Sequence, residues 1–337
     1  MSTQICSNCG NEVSENSFRC TKCGTVFTEE KGRFENIISV FESKAKLNLT
    51  GNVWKTLAWF GIANAAVILS VTIISGGILF SWAPFLLIIG SISPALSLLL
   101  SKYLAKKAHN IHMIQEVHFR SGYEEDLYRL VERMSKRAGL EKMPEVGIYD
   151  SEDINAFATG FNRNNSMIAY SNRLLQTMNE EEIAAVTAHE IGHIANGDMI
   201  TMSIVQSVVN AFVLLITIPL FFIHMYTAFS SNGSYKAYHI IGFIRKTVNT
   251  IFLFLGNLVS KAFSRRREYE ADKLASQIIN KESMLNALKK LSTETSLIPK
   301  GQKEYATLKI NSPMAFLEIL STHPPLEKRM QRLQELE

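Results

Sequence analysis

Between Thr56 and Ser101 the chain has no Lys, Arg, Asp, Glu or His. That run of 46 residues is too long for one buried helix of a soluble core, and long enough for two membrane spans of about 20 residues. Ser75-Gly76-Gly77 and Ser81-Trp82-Ala83-Pro84 interrupt it, which places spans near Leu57–Phe80 and Pro84–Leu100 as a tight helical hairpin. Cysteine is equally confined: the four are Cys6, Cys9, Cys20 and Cys23. A large excess of one charge is also missing. The 35 basic and 31 acidic residues leave +4, which gives no case for a nucleic-acid partner. No internal repeat or low-complexity tract occurs. The charged stretch ahead of the first apolar run argues against a typical secretory signal peptide.

A second charge-free stretch runs from Met199 to Ile223, dense in Val, Leu, Ile and Phe from Val208 onward, so a third span is expected over Val208–Ile223. A fourth is weaker. Arg245 and Lys246 precede it, and Thr247–Phe263 carries Lys261. It spans weakly, lies in the interface or lines a cavity. Basic residues flank these segments on one side: Lys44, Lys46 and Lys55 before the first, Lys102, Lys106 and Lys107 after the second, Arg265, Arg266 and Arg267 after the fourth. The turn between the first two spans has none. Both termini and the soluble middle are therefore expected on the cytoplasmic side of a plasma (inner) membrane.

The cysteines are spaced Cys-x2-Cys-x10-Cys-x2-Cys, with Gly10 and Gly24 after each pair. That spacing makes two knuckles of a tetrahedral four-sulfur site, which suits structural Zn2+. Twenty-odd residues build too small an apolar core, so the metal would supply the folding energy. Disulfides are the alternative, disfavoured at a reducing cytoplasmic N-terminus. The module reads as a zinc ribbon that recruits a protein partner or substrate.

Histidine is scarce, at 8 of 337, yet two fall in His189-Glu190-Ile191-Gly192-His193. Two histidines four apart share a helix face, and each neutral imidazole can offer a nitrogen to one Zn2+ ion. Glu190 is placed to hold the water and take its proton rather than bind the metal. Asn179 with Glu180, Glu181 and Glu182 predicts a capped, acidic helix start, and Asn196-Gly197 a stop. The alternative is a surface helix with a solvated glutamate; the apolar surround of Ile183, Ala184, Ala185, Val186 and Ala188 argues against it.

Catalytic zinc takes three protein ligands. Glu268 is a candidate third, with Asp272 on the same helix face to accept the second N–H of a zinc-bound imidazole. A solvated charged face is the alternative there. His323, held before Pro324-Pro325, could donate to an oxyanion, or be an ordinary loop histidine. Asn155-Ala156-Phe157-Ala158 and Met167–Tyr170 are strand-like and joined by a turn over Asn162–Ser166. An exposed edge strand beside the zinc would pair with an extended peptide. Leu127, Leu130, Val131 and Met134 recur at helical spacing and read as core.

His189 to His193, Ser264 to Asp272, Ser321-Thr322-His323-Pro324-Pro325 and Asn155 to Gly160 together resemble the HtpX-type membrane metalloproteases, relatives of the CAAX prenyl endoproteases. The resemblance covers about Thr50 to the C-terminus. It implies His189, His193 and Glu268 as zinc ligands and Glu190 as general base. It implies His323 and Arg329 as groups facing the substrate or oxyanion, and damaged or misassembled membrane proteins as substrates. The expected fold is mainly α: a multi-span helical membrane protein with a gluzincin-type zinc protease domain containing a small β-hairpin or sheet, plus the ribbon. Residues 1–28 would form the ribbon, 29–55 a linker with a short helix and 56–101 the membrane hairpin. Residues 102–198 and 264–337 would be two parts of the protease domain, with 199–263 the later membrane segments. A processing protease for lipidated or precursor proteins shares this chemistry; four segments rather than seven favour quality control. A non-catalytic zinc scaffold would not need the intact Glu190.

Overall fold

The computed structural model describes residues 3–5, 9–14, 22, 32, 34–42, 65, 83–229, 235–296 and 324–336. At the N-terminus β1 (Thr3–Ile5) and β2 (Glu12–Ser14) pair antiparallel, Thr3 opposite Ser14. Cys9 lies in their connection, followed by Gly10 at φ 68°. Cys6, Cys20 and Cys23, the rest of the expected four-sulfur site, lie outside the described residues, as does His323.

Part of the expected linker is docked rather than free. Phe34 is fully buried with its ring 6.1 Å from that of Tyr123, and the Gly32 N–H donates to Asp126 Oδ2 at 2.6 Å. Helix α1 (Glu35–Glu42) follows and lays Ile37 and Ile38 on the same core. Of the first expected span, Leu57–Phe80, residue 65 alone is described.

The second span is part of a longer helix, α2 (Ala83–Ala108). It runs on past its apolar stretch to Lys102 and Lys106, which each reach Glu145 at 2.6 Å. That residue opens β4 of a four-stranded sheet, β3 (His112–Met113), β4 (Glu145–Tyr149), β5 (Ala156–Asn162) and β6 (Asn165–Ser171). The order is β3-β4-β6-β5, with β4 and β6 parallel and the other pairs antiparallel. The expected hairpin is β5–β6, closed with Asn162 opposite Asn165. Strand side chains alternate between faces. Val146, Ile148, Ile168 and Tyr170 enter the main core, while Tyr149, Met167 and Ala169 pack with Phe157, Ala105 and Ile111 under the end of α2.

The main core joins that sheet face to α3 (Gly122–Arg137), α5 (Glu180–Asn196) and the later helices. Leu127, Leu130, Val131 and Met134 of α3 are fully buried, as their spacing predicts. The short α4 (Asn172–Thr177) leads from β6 into α5. Then come α6 (Asp198–Phe229), α7 (Tyr235–Ile278), α8 (Lys281–Ser296) and α9 (Leu326–Gln334).

Two helices among the described residues are long and apolar enough to cross a membrane, Ile88–Ala108 of α2 and the whole of α6, and only 11% and 17% of their apolar windows is buried. The core helix of a soluble domain would instead be mostly covered. Expected span Val208–Ile223 lies inside α6, whose 32 residues rise about 48 Å. Thr247–Phe263 does not stand apart as a segment: it is continuous with Glu268 in the 44-residue α7. The helices meet closely where Gly90 faces α6, since a Cβ there would lie 2.6 Å from the Ala211 nitrogen. Polar side chains link the three: Asn210 Nδ2 donates to Gly90 O at 3.4 Å, Gln206 to Asn210 at 2.9 Å, and Ser260 to Gln206 at 3.2 Å.

Candidate active site

Helix α5 begins with the expected capping box: Asn179 Oδ1 accepts the Glu182 N–H at 2.9 Å and Glu182 Oε2 accepts the Asn179 N–H at 2.9 Å. It ends at Gly197, whose φ of 70° is the left-handed turn that glycine adopts freely. Between these ends His189 and His193 stand one turn apart on one face. Their Nε2 atoms are 3.2 Å apart, and Glu268 of α7 completes a triangle of residues, its Oε2 3.6 Å from His189 Nε2 and its Oε1 3.4 Å from His193 Nε2.

These distances test the site for a metal. Ligands about 2.0–2.1 Å from a tetrahedral divalent ion stand about 3.3 Å apart. The separations are close to that size, with the two Glu268 oxygens each facing one imidazole, and these three residues are the one metal-capable His/Cys/Asp/Glu group found among the described residues. The donor set of two imidazoles and a carboxylate suits such an ion and leaves the fourth position to water or substrate.

Each imidazole is held from behind by a carboxylate. His189 Nδ1 is 2.9 Å from Asp272 Oδ1, as the shared helix face of Glu268 and Asp272 predicts. His193 Nδ1 is 2.6 Å from Asp198 Oδ2. These bonds fix the tautomer that turns Nε2 toward the metal position. The role of Asp198 is not anticipated by the motifs. Its signal is the Asn196-Gly197 stop: the helix breaks at one left-handed residue, and the first residue of α6 falls beside His193.

Arg329 lines the cleft at this site. It is buried, and its Nε and Nη2 donate to Asp272 Oδ2 and Oδ1 at 2.8 and 2.5 Å. Its Nη1 lies 3.4 Å from Glu268 Oε2. A guanidinium engaged this way braces Asp272 and Glu268 at the border of the cleft. The cause is the amphipathic register of α9: Leu326, Arg329 and Leu333 share its buried face.

Electrostatics follow from burial among these partners. Burial lowers the proton affinity of both imidazoles, but their carboxylates outweigh it and raise both, His193 up to about 10. Burial opposes the charged form of Asp272, and Arg329 with His189 overcomes this and holds its carboxyl below the usual range. Glu190 has no such support: burial pushes its carboxyl up, against the opposing pull of His189 and His193. A carboxyl raised in this way binds a proton more readily, as a base at neutral pH should.

Glu190 and the ligands open into a cleft of about 500 Å3 that β5 borders through Asn155, Ala156, Phe157 and Ala158. Strand β5 is the sheet edge. Because the Ser171 N–H donates to the Asn155 carbonyl, hydrogen bonds to β6 fall on residues 155, 157 and 159, and Ala156 and Ala158 turn their backbone groups outward. The Ala158 N–H donates to Glu190. Asn155 Nδ2 donates to the hydroxyl of Tyr149 at 3.1 Å, a second contact the sequence did not signal. Burial, with the charges of Asp153 and Glu190, pushes that hydroxyl up to about 12, so it stays protonated. Met199 and Met202 of α6 and Met284, Leu288 and Leu291 of α8 add apolar lining.

Comparison with known proteins agrees with this geometry. The profile of peptidase family M48 matches residues 122–337. A Protease HtpX homolog of Bacillus licheniformis is 40% identical over 253 residues, 74% of this chain and 83% of that protein. Another from Fusobacterium nucleatum is 36% identical over 293 residues, 85% and 93% of the two chains. Protease HtpX of Tolumonas auensis is 39% identical over 268 residues, 78% and 88%. Among solved structures, S. mikatae Ste24p shares the fold with a TM-score of 0.53 at 20% identity; the match covers 83% of this chain and 64% of that one.

Proposed function

The chain belongs to peptidase family M48 as an HtpX-type metalloprotease, and from that premise we propose that it is a membrane-embedded zinc endopeptidase acting on membrane proteins. The observation that carries this reading is the triangle of His189, His193 and Glu268, sized for one tetrahedral ion and set at the foot of α6 and α7. Zinc bound there supplies Lewis acidity, lowering the pKa of water and polarising the scissile carbonyl.

The chain's own groups do the rest. The free edge of β5 takes the substrate as an added antiparallel strand through the backbone of Ala156 and Ala158. Glu190 accepts the proton of the attacking water and passes it to the leaving amine. Asp272 and Asp198 keep the two imidazoles in the ligating tautomer. His323 would complete the site as an oxyanion donor. The four cysteines would hold a second, structural zinc in an N-terminal ribbon that recruits a protein partner or substrate. The apolar α2 and α6 support a cleft beside the bilayer, and the basic residues flanking the apolar segments favour both termini and the site on the cytoplasmic side of the plasma (inner) membrane. Substrates are then membrane proteins, chiefly misfolded or damaged ones.

The reading is tested by comparing membrane proteomes of cells with the active chain and with its Glu190→Gln form, alongside casein cleavage with a chelator control. Membrane proteins that persist only in the inactive background support a quality-control role. Accumulation of a single precursor points to dedicated processing, and chelator-resistant cleavage contradicts the zinc mechanism.

Proton competition gives a further test. A proton on Nε2 excludes zinc from it, and His193 holds its proton up to about pH 10. Apparent zinc affinity at this site therefore falls as pH falls below that value, about tenfold per pH unit for each proton displaced. Competition titration against a chelator of known affinity checks this; a flat profile contradicts it.

A further inference from the structure

We propose that Arg267 is a positioning residue for the metal site, tying the first turn of α6 to the ligand-bearing stretch of α7; this rests on the zinc reading above. Arg267 immediately precedes Glu268. Its Nη1 donates to the Asp198 carbonyl at 2.7 Å, and its Nε lies 4.0 Å from Asp198 Oδ2. Asp198 in turn accepts from His193 Nδ1 at 2.6 Å.

One side chain thus spans the second imidazole's carboxylate and the third ligand's helix. The arrangement repeats on the other imidazole, where Arg329 binds Asp272 behind His189. Each histidine therefore has a carboxylate; Arg329 bonds the Asp272 carboxylate itself, and Arg267 bonds the Asp198 backbone. The two arginines differ in what they hold. Arg329 fixes a carboxylate already on α7, whereas Arg267 fixes the start of a different helix.

That difference matters because α6 begins at Asp198, with only Gly197 between it and the end of α5, and rises about 48 Å with little of its apolar stretch buried. Tilt or rotation at its foot would swing the Asp198 carboxylate off His193. Arg267 resists this movement by holding the Asp198 backbone in register with Glu268. A guanidinium suits this role because it offers several fixed donors and keeps its charge when partly buried.

The test uses the full chain in detergent. Arg267→Ala and Arg267→Lys are compared with Arg266→Ala, an exposed neighbour on the same helix. The readouts are affinity for the zinc equivalent that Glu268→Gln removes, and the visible spectrum of the Co2+-substituted site. Loss of an outer hydrogen bond to a metal-bound imidazole costs about 10–100-fold in affinity. Acting through Asp198, Arg267→Ala is expected to lose up to that much and to alter the Co2+ spectrum, Arg267→Lys to recover part of it, and Arg266→Ala to match wild type. Arg267→Lys keeps the test open if the alanine variant does not fold. Unchanged affinity and spectrum in the Arg267 variants, even with a lower melting temperature, overturn the proposal and leave Arg267 a packing residue. If Glu268→Gln removes no zinc at all, the metal reading itself fails, and the brace with it.

Discussion

Glu190→Gln lowers kcat/KM by about 10²–10⁴-fold while leaving zinc content at the wild-type level. The size follows from the role: a positioned general base contributes that factor, and glutamine cannot accept the proton. The retention of zinc follows from position, because Glu190 lies outside the triangle of His189, His193 and Glu268. Glutamine keeps the length of the side chain and an oxygen to accept the Ala158 N–H. Burial disfavours the charge on Glu190, so a neutral isostere relieves that cost, and the melting temperature is expected to hold or rise. Parallel assays of peptide cleavage, metal content and thermal melting separate these effects. Wild-type cleavage by this variant would reject the base assignment.

The second large effect falls on Glu268→Gln, which should remove both zinc and cleavage. The glutamate is 2% exposed and supplies the anionic ligand of the site. Loss of an outer-shell partner costs about 10–100-fold in metal affinity, so loss of a direct ligand should cost more than about 10²-fold. The change also leaves Arg329 with one carboxylate, Asp272, where it had two. A buried charge that loses a partner destabilises the fold, so the melting temperature should drop as well. Equilibrium dialysis with metal analysis reads the first effect and calorimetry the second. The two glutamates thus have opposite signatures: one variant keeps zinc and stability without activity, the other loses all three.

How much of this was legible in the residues depended on whether the information was local. His189, Glu190 and His193 announce themselves because helical periodicity alone puts the two imidazoles on one face. The capping box at Asn179 and the stop at Gly197 are local as well, and the helix has those ends. Glu268 and Asp272 were legible as a pair four apart, although nothing in their neighbourhood shows which distant helix they meet. Asp198 was hidden for a different reason. It contacts His193 through a change of direction at Gly197, which no fixed periodicity describes. The bond of Arg329 to Asp272 is not legible from its charge alone; it needs the register of Leu326 and Leu333, which carries the guanidinium inward. The docking of Phe34 on Tyr123 likewise depends on a pocket formed by residues about 90 positions away, so a charged, linker-like composition concealed it. The apolar stretches of α2 and α6 are plain from the absence of charge, and the sequence also runs the apolar stretch of α7 straight into the segment bearing Glu268.

The most direct test of the account is zinc-edge anomalous diffraction from crystals of the full chain. The account expects a peak about 2.0–2.1 Å from His189 Nε2, His193 Nε2 and a Glu268 oxygen, with Glu190 outside bonding distance. A fully folded, active enzyme with no anomalous density between those three side chains would contradict it.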